Sequence, residues 1–435
     1  APWADHWAYV KPKWTDPPMP KNSDWSGHWI DRFTLTDTES KKLQPAKDAD
    51  PVSLVRRLHF DLTGLPPSFQ TVKSFVQDPS PSAYQALLDQ LMGSEHFGER
   101  MAVYWLDLVR YADTVGYHGD QPHNISPYRD WVITAFNDNM PYDQFTREQL
   151  AGDLLPGSSV QQKVASGYNR LLQTTHEGGL QLKEYDAIYA AARVRNVSEV
   201  WMGATVGCAQ CHDHKYDPYT IKDHYSLASF FADLADRGFN GNKLPTERPP
   251  EIQIHTDENS GKLELLSKQI DQTLSVKKQS ELRNLQDRKG KLSQSLRKAE
   301  DANKTQWQEK INRINQQIAQ VAKPAVLQKY RKLVKEKKEV EDKGRWTMVS
   351  QAVKPRVMRV LPRGNWMDDS GPIVLPAVPE FLGKIDSDKK RLDRLDLANW
   401  LTDTEDGIGL LNARVLANRI WYLLFGKGLA PDLTD

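Results

Sequence analysis

Hydrophobic positions in the first half of the chain recur every three or four residues, and this spacing predicts a series of amphipathic helices. In the first of them, Leu54, Val55 and Leu58 share one face. Further helices are predicted near residues 69–75, 82–92, 98–111, 127–137, 142–152, 183–202 and 223–234. Short alternating stretches near residues 252–255 and 347–360 indicate strands. The predicted fold class is therefore mainly α with a small β segment.

A polar segment, residues 258–344, is dense in Lys, Gln and Glu but carries a regular apolar seam. From Trp307 to Val321, apolar residues recur at intervals of four, three, four and three, as in a coiled coil. We predict an antiparallel helical hairpin that turns near residues 301–304, projects from the body and has its returning arm kinked by Pro324. The seam suits two helices in contact, either within the hairpin or between subunits, and an unpartnered spacer is the alternative.

These patterns divide the chain into five parts. Five of the first twenty residues are proline, which prevents regular helix and favours an extended arm. The last segment ends after a helix pair too short to enclose its own core, so it is expected to be the truncated start of a further helical domain. The predicted parts are an extended arm at 1–45, a helical domain at 46–244 that contains both cysteines, a small β-containing segment at 245–257 and 345–385, the hairpin at 258–344, and the truncated domain at 386–435.

Charge and hydropathy narrow the function classes. The 58 Lys and Arg residues are balanced by 57 Asp and Glu residues, so the chain lacks the basic excess typical of nucleic-acid-binding proteins. No run of about 18 apolar residues appears, so no membrane span is predicted. Thirteen Trp and fifteen Tyr residues suit a bulky core first, and also a large cofactor or a sugar-like ligand.

Cys208 and Cys211 are the only two cysteines, and His212 follows directly. The spacing C-x-x-C-H predicts covalent attachment of one c-type haem, with two thioethers and His212 as the proximal iron ligand. The second ring nitrogen of His212 needs an acceptor, for which Asp213 and Asp217 are candidates. The alternatives are a zinc site completed by His212 and His214, which the crowded spacing disfavours, and a disulfide or free thiols.

Several strings around the cysteines resemble the planctomycete cytochrome-C-like family, specifically the second such domain of large secreted proteins. The resemblance covers roughly residues 5–240 and rests on FDLTGLPP at 60–67, WLDLVRYAD at 105–113, YRDW at 128–131, MPYD at 140–143, QLAGDLLP at 149–156 and CAQCHDHKYDP at 208–218. RLD at 391–393, NARV at 412–415 and NRIW at 418–421 are similar to the opening of the planctomycete-specific domain that usually follows. The resemblance implies a haem protein, exported and associated with polysaccharide breakdown, without defining its reaction.

Two polar loops contain the candidate catalytic residues. His176, in a glycine-flanked loop with Glu177, is predicted as the distal haem ligand or a distal acid–base group. His118 and Asp113 lie in a second loop that combines carboxylates, His and Tyr, where proton transfer is the expected role. A carboxylate pair of Asp113 and Glu177 would instead suit a hydrolase.

The preferred function is an exported, periplasmic haem oxidoreductase that transfers electrons or acts on carbohydrate-derived substrates. This location follows because haem of this type is attached outside the cytoplasm. Expected partners are a redox protein or a C-terminal continuation of the chain, and a second copy bound through the hairpin. The rival function is a haem- or metal-stabilised interaction scaffold that uses the hairpin, and the third is the carboxylate hydrolase.

Overall fold

The computed structural model describes residues 6–22, 25, 27–116, 120–175, 180–235, 248–299 and 301–434. The chain forms two compact units, one of residues 1–252 with 347–435 and the other of residues 253–346. Helices dominate both, so the predicted mainly α fold class is confirmed.

The helices and strands follow one another along the chain in this order: α1 (Trp29–Ser40), α2 (Pro51–Leu62), α3 (Phe69–Gln77), α4 (Pro81–Met92), α5 (Glu95–Leu108), α6 (Ser126–Asn137), α7 (Tyr142–Ala151), α8 (Val160–Ala165), α9 (Leu182–Val197), α10 (Ile221–Ser229), β1 (Glu251–Ile254), α11 (Asp257–Thr273), α12 (Val276–Lys298), α13 (Asp301–Val321), α14 (Pro324–Glu341), β2 (Arg345–Met348), β3 (Met358–Arg359), β4 (Ile373–Val374), α15 (Arg394–Thr402) and α16 (Gly409–Phe425). The strands form two small two-stranded sheets, β1 with β2 and β3 with β4.

Local sequence explains where the early helices begin. The side chains of Asp50, Ser68 and Ser80 each accept a hydrogen bond from the backbone N–H three residues later, at the starts of α2, α3 and α4. Such caps satisfy N–H groups that have no partner within the helix. Pro51 and Pro81 occupy the first turn, where the missing N–H costs no hydrogen bond.

The predicted extended arm at 1–45 needs correction, because α1 lies inside it. The stretch between Pro20 and Pro45 contains no proline, and the His28 side chain accepts a hydrogen bond from the N–H of Ile30 to cap the helix. Residues 11–20 carry no regular secondary structure. Residues 7–10 are held by Arg414, whose guanidinium donates to the backbone carbonyls of Trp7 at 2.8 Å and Val10 at 2.9 Å.

The second unit is a hairpin of four helices, with each arm interrupted once. α12 packs against α13, and α11 packs against α14, so the chain reverses between Lys298 and Asp301. Pro324 is the first residue of α14, and the returning arm is interrupted just before it. The apolar seam lies inside this unit, because leucines of the first arm and isoleucines of the second form one buried cluster. The sequence left open whether the seam packs within the hairpin or between subunits. These contacts show packing within the hairpin.

The core of the first unit is an aromatic cluster between α5, α6 and α7. The Trp105 and Phe145 rings lie 4.8 Å apart, those of Trp131 and Phe145 5.2 Å, and those of Trp105 and Trp201 5.6 Å. Trp201 is fully buried and donates its indole N–H to the hydroxyl of Thr146. Such ring pairs stabilise beyond the area they bury.

The C-terminal helices, expected at the start of a further domain, lie in the same compact unit as residues 1–252. α15 packs on α7, and its first residue, Arg394, is fully buried. The Arg394 guanidinium contacts both carboxylate oxygens of Asp153, at 2.7 and 2.8 Å, and one oxygen of Asp233 at 3.2 Å. It also donates to the carbonyl of Leu150 at 2.8 Å. The planar guanidinium suits this bidentate geometry.

None of the helices in the described part of the chain combines the length and the apolar character needed to cross a bilayer.

We expect Arg394→Leu to lower the free energy of unfolding by about 3–5 kcal/mol, because it leaves two carboxylates without their cation in a buried setting. Denaturant unfolding measures the loss. Lys41→Ala, which removes an exposed ion pair with Asp37, is the control and should cost less than about 1 kcal/mol. Equal losses in the two variants would show that the buried network contributes no more to the free energy of unfolding than the exposed ion pair does.

Candidate functional site

The two cysteines lie on a short turn between α9 and α10. Residues Val206–Gln210 form one 3₁₀ turn, and Cys211 follows it directly. Both thiols are free and exposed, so the disulfide alternative does not describe this structure. Gly203, in the left-handed conformation at φ 56°, ends the preceding helical segment and turns the chain toward the motif.

His212 is exposed, and its Nδ1 lies 2.6 Å from the backbone oxygen of Asp213. A carbonyl oxygen only accepts hydrogen bonds, so Nδ1 carries a proton, and in the neutral ring the lone pair then lies on Nε2. This is the tautomer that a metal ligand needs, with the second ring nitrogen fixed by an acceptor. The acceptor is therefore the Asp213 backbone, where the sequence suggested a side chain of Asp213 or Asp217.

His214, two residues later, has a different environment. Its side chain is nearly buried; Nδ1 accepts the backbone N–H of Asp217 at 2.9 Å, and Nε2 lies 3.2 Å from the Thr205 hydroxyl. Because Nδ1 is an acceptor here, the Asp217 carboxylate at 3.3 Å does not form an ion pair with a charged ring. Both ring nitrogens of His214 therefore have hydrogen-bond partners in this structure. No group of three or more metal-binding His, Cys, Asp or Glu side chains is found within the described residues.

The loop after the cysteines is held to α10 and to a cluster of aromatic rings. The Asp213 carboxylate accepts the N–H of Ile221, at the first position of α10, at 2.8 Å. Tyr219 is buried, and its ring lies 5.1 Å from that of Phe381 and 6.2 Å from that of Tyr9. The N–H of His214 donates to the carbonyl of Tyr219 at 2.8 Å. The segment from 211 to 221 is thus fixed from several sides.

A distant segment approaches Cys211. Gly364 has φ 70°, and a Cβ placed on it would lie 2.8 Å from the sulfur of Cys211. Tyr225 donates its hydroxyl to the carbonyl of Gln210 at 3.0 Å, and burial raises its pKa to about 12. Gly364 was not singled out from the sequence, and no local signal links it to a cysteine 153 positions earlier (364 − 211).

Of the predicted catalytic residues, His118, His176 and Glu177 lie outside the described residues. Asp113 is exposed, and its carboxylate accepts the hydroxyl of Tyr111 at 2.5 Å. Burial, and then this hydrogen bond, raise the pKa of Tyr111. The catalytic roles of Asp113, His118, His176 and Glu177 remain predictions.

Two cavities lie on either side of α9. The first, of about 600 Å³, carries both charge signs and includes Lys183, Asp369 and Arg359. The second, of about 530 Å³, includes Arg110 and Arg195 and is called the arginine cavity below. Gln210, between the two cysteines, lines the arginine cavity. Neither cavity was expected from the sequence, because their lining residues come from separate segments.

Comparison with protein-family models gives two matches, both to segments of the first unit. Residues 29–236 match the model of PSCyt2, described as a protein of unknown function (DUF1549). Residues 393–435 match the model of PSD1, described as a protein of unknown function (DUF1553). The chain therefore contains a PSCyt2 segment at residues 29–236 and a PSD1 segment at residues 393–435. No curated protein and no solved structure matches it.

This assignment confirms the resemblance seen in the sequence strings. The cysteine motif and the polar loop of Asp113 lie within the PSCyt2 match, as does Asp153. Arg394 lies at the beginning of the PSD1 match, so the buried ion pair joins the two matched segments.

We expect Gly364→Ala to lower the free energy of unfolding by about 1–3 kcal/mol, because the left-handed backbone disfavours a side chain and the added methyl would press on the Cys211 sulfur. Gly290→Ala, within α12 and with open space around it, is the matched control. It should raise stability by up to about 1 kcal/mol, since Gly weakens a helix interior. Urea unfolding of both variants distinguishes the opposite signs; an unchanged Gly364→Ala protein would contradict the strained contact.

A second expectation concerns acid stability. Burial lowers the pKa of His224 to about 4, whereas a free histidine titrates near 6.5. Between these values the unfolded chain binds more protons at this ring than the folded chain does. The free energy of unfolding therefore falls as pH falls through this window. Between pH 7 and pH 4.5, we expect the free energy of unfolding of His224→Gln to fall by about 2 kcal/mol less than that of the unaltered protein.

Urea unfolding at the two pH values measures this difference. His96→Gln is the control, because the His96 side chain is partly exposed and hydrogen bonding to Glu99 raises its pKa. Stability from such a group is lost as pH rises, so removing it should leave the acid loss in place. The same acid loss in His224→Gln as in the unaltered protein would refute the assignment.

Proposed function

We propose that the chain is an exported c-type haem protein that transfers single electrons to or from a partner protein. Cys208 and Cys211 would hold the porphyrin through thioethers, and His212 would be the proximal ligand. A haem bound there would supply a one-electron iron couple. The observation that carries the proposal is the His212 ring, whose Nδ1 donates to the Asp213 carbonyl, so that Nε2 is the nitrogen left for a metal in the neutral ring.

The state of the two thiols supports the same proposal. Both are exposed and neither is bonded to the other, as thioether formation requires. The adjacent loop is organised without them, through His214, Thr205 and Asp217. The motif would therefore meet the porphyrin on a turn that is already ordered, which reduces the conformational entropy lost on attachment.

Exposure of the motif favours electron transfer over catalysis. Cys208, Cys211 and His212 are all exposed, so a porphyrin attached there would have an edge that a protein partner could approach. The described candidate for acid–base chemistry, Asp113, is held by the Tyr111 hydroxyl. Oxidation of a carbohydrate-derived substrate is the finer form of this proposal, and export follows from the attachment chemistry.

The two rival functions have less support. For the interaction scaffold, the apolar seam of the hairpin is buried within its own four helices, so it does not offer an apolar surface to a second copy. For the hydrolase, the carboxylate pair includes Glu177, which lies outside the described residues, and no distance supports it.

The test is the mass and absorption spectrum of the protein produced in a host that attaches c-type haem in its periplasm. We expect the mass of the chain plus one haem under denaturing conditions, and sharp α and β bands on reduction. Cys208→Ala with Cys211→Ala should lose both, because no thioether can form.

His212→Ala separates attachment from ligation. It should keep the covalent haem but change the spectrum, because it removes the proximal ligand and leaves the sulfurs. His96→Gln, at a partly exposed histidine in α5, should change neither property. A colourless protein with the mass of the bare chain would disprove the haem proposal.

A further inference from the structure

The arginine cavity has an uneven charge. Arg110 and Arg195 lie on its wall, and none of its described lining residues is Asp or Glu. The cavity on the other side of α9 differs, because Lys183 there forms an ion pair with Asp369 at 2.6 Å. Arg110 and Arg195 therefore line a space with no carboxylate on its described walls.

The two arginines are held differently. The Arg110 guanidinium donates to the carbonyl of Ala192 at 2.9 Å, which fixes it beside α9. The Arg195 side chain runs along Gly207, where a built Cβ would lie 3.1 Å from its Nε. Within the described part of the chain, no acceptor bonds the Arg195 guanidinium. Its donors are thus available beside the residue that precedes Cys208.

One carboxylate outside the cavity wall interacts with both arginines. Burial raises the pKa of Glu199, and Arg110 and Arg195 act in the opposite direction. Among the described residues, this one carboxylate offsets only part of the charge of the two guanidinium groups. His123, on the cavity wall, adds no further charge at neutral pH, because burial lowers its pKa.

Apolar side chains form much of the remaining wall, together with the polar side chains of Thr114, Gln173 and Gln210. Val115, Leu171, Leu172, Ile188 and Tyr189 line the space beside the arginines. A volume of about 530 Å³ lies in the range of ligand pockets, which combine apolar walls with a few placed polar groups. An anionic group on an apolar, ring-sized body matches this combination.

We infer that the arginine cavity binds the carboxylate of an organic ligand through Arg195, with Arg110 beside it. Two sources share this chemistry: a propionate of a porphyrin tethered at the neighbouring cysteines, which rests on the proposed haem, and a free organic acid, which does not. A guanidinium contacts a carboxylate through two parallel N–H donors, and such charge-assisted bonds are stronger than neutral ones.

The test is calorimetric titration with benzoate, and with benzamide as the neutral ligand of the same shape. The protein is used with haem attached, as Cys208→Ala with Cys211→Ala, and as the unaltered chain produced in the cytoplasm, where haem is not attached. The cytoplasmic form provides a haem-free protein if the double variant does not fold. We expect saturable binding of benzoate and at least tenfold weaker binding of benzamide.

Variants assign the binding to the cavity. Arg195→Gln should weaken benzoate binding roughly tenfold or more, because it removes the charge, and Arg195→Lys should restore part of it. Arg359→Gln is the matched control, since Arg359 lines the other cavity and also donates to one carbonyl, that of Gly371. Its benzoate affinity should be unchanged.

The haem-bearing and haem-free forms distinguish the two sources. If benzoate binds only to the haem-free forms, a haem propionate occupies the cavity when haem is attached. If benzoate binds to the haem-bearing and the haem-free forms alike, the ligand is a free organic acid. No saturable binding to any form, or equal weakening by Arg195→Gln and Arg359→Gln, would overturn the inference. If the haem proposal itself fails, the protein is colourless and benzoate binding is still measurable, so the two failures are distinguishable.

Discussion

The fully buried guanidinium of Arg394 is the contact on which the arrangement of the first unit depends. It joins Asp153, which follows α7, to Asp233, which follows α10, and it does so from the first turn of α15. A buried charge is costly unless it is paired and hydrogen-bonded, and here the pairing comes from two separate segments. The PSCyt2 segment and the start of PSD1 therefore share one core.

This constraint extends to the cysteine motif through α10. The N-terminal end of α10 is tied to the loop by the Asp213 carboxylate, and its Tyr225 donates to the carbonyl of Gln210. Asp233 lies just beyond the other end of the same helix. Because α10 is held at both ends, it fixes the position of the cysteine turn beside it. The ion pair and the candidate site therefore belong to one continuous set of contacts.

The two histidines after the cysteines show how the same residue type can serve different roles. His212 is exposed, with one nitrogen on a backbone carbonyl and the other available. His214 is nearly buried and uses both nitrogens to hold the loop. Their spacing is only two residues, so their sequence positions alone do not separate a ligand from a structural residue. The hydrogen-bond partners make that distinction.

Local features of the sequence determined much of this protein, because they depend on neighbouring residues. Capping residues such as Asp50 and Ser80 mark helix starts, and the apolar intervals from Trp307 to Val321 mark a helical seam. The C-x-x-C-H spacing identified the candidate site and its proposed chemistry, and the strings around it identified the family.

Contacts between residues far apart in the chain depend on the folded arrangement and were not predicted. Arg394 pairs with Asp153 across 241 positions, and Gly364 approaches the sulfur of Cys211. The proline pattern also did not predict helix α1 inside the expected arm. Proline content indicates where helices are excluded and not where they form. Periodicity and spacing encode local geometry, whereas ion pairs, cavities and close backbone approaches arise from packing between segments that carry no local mark of their partners.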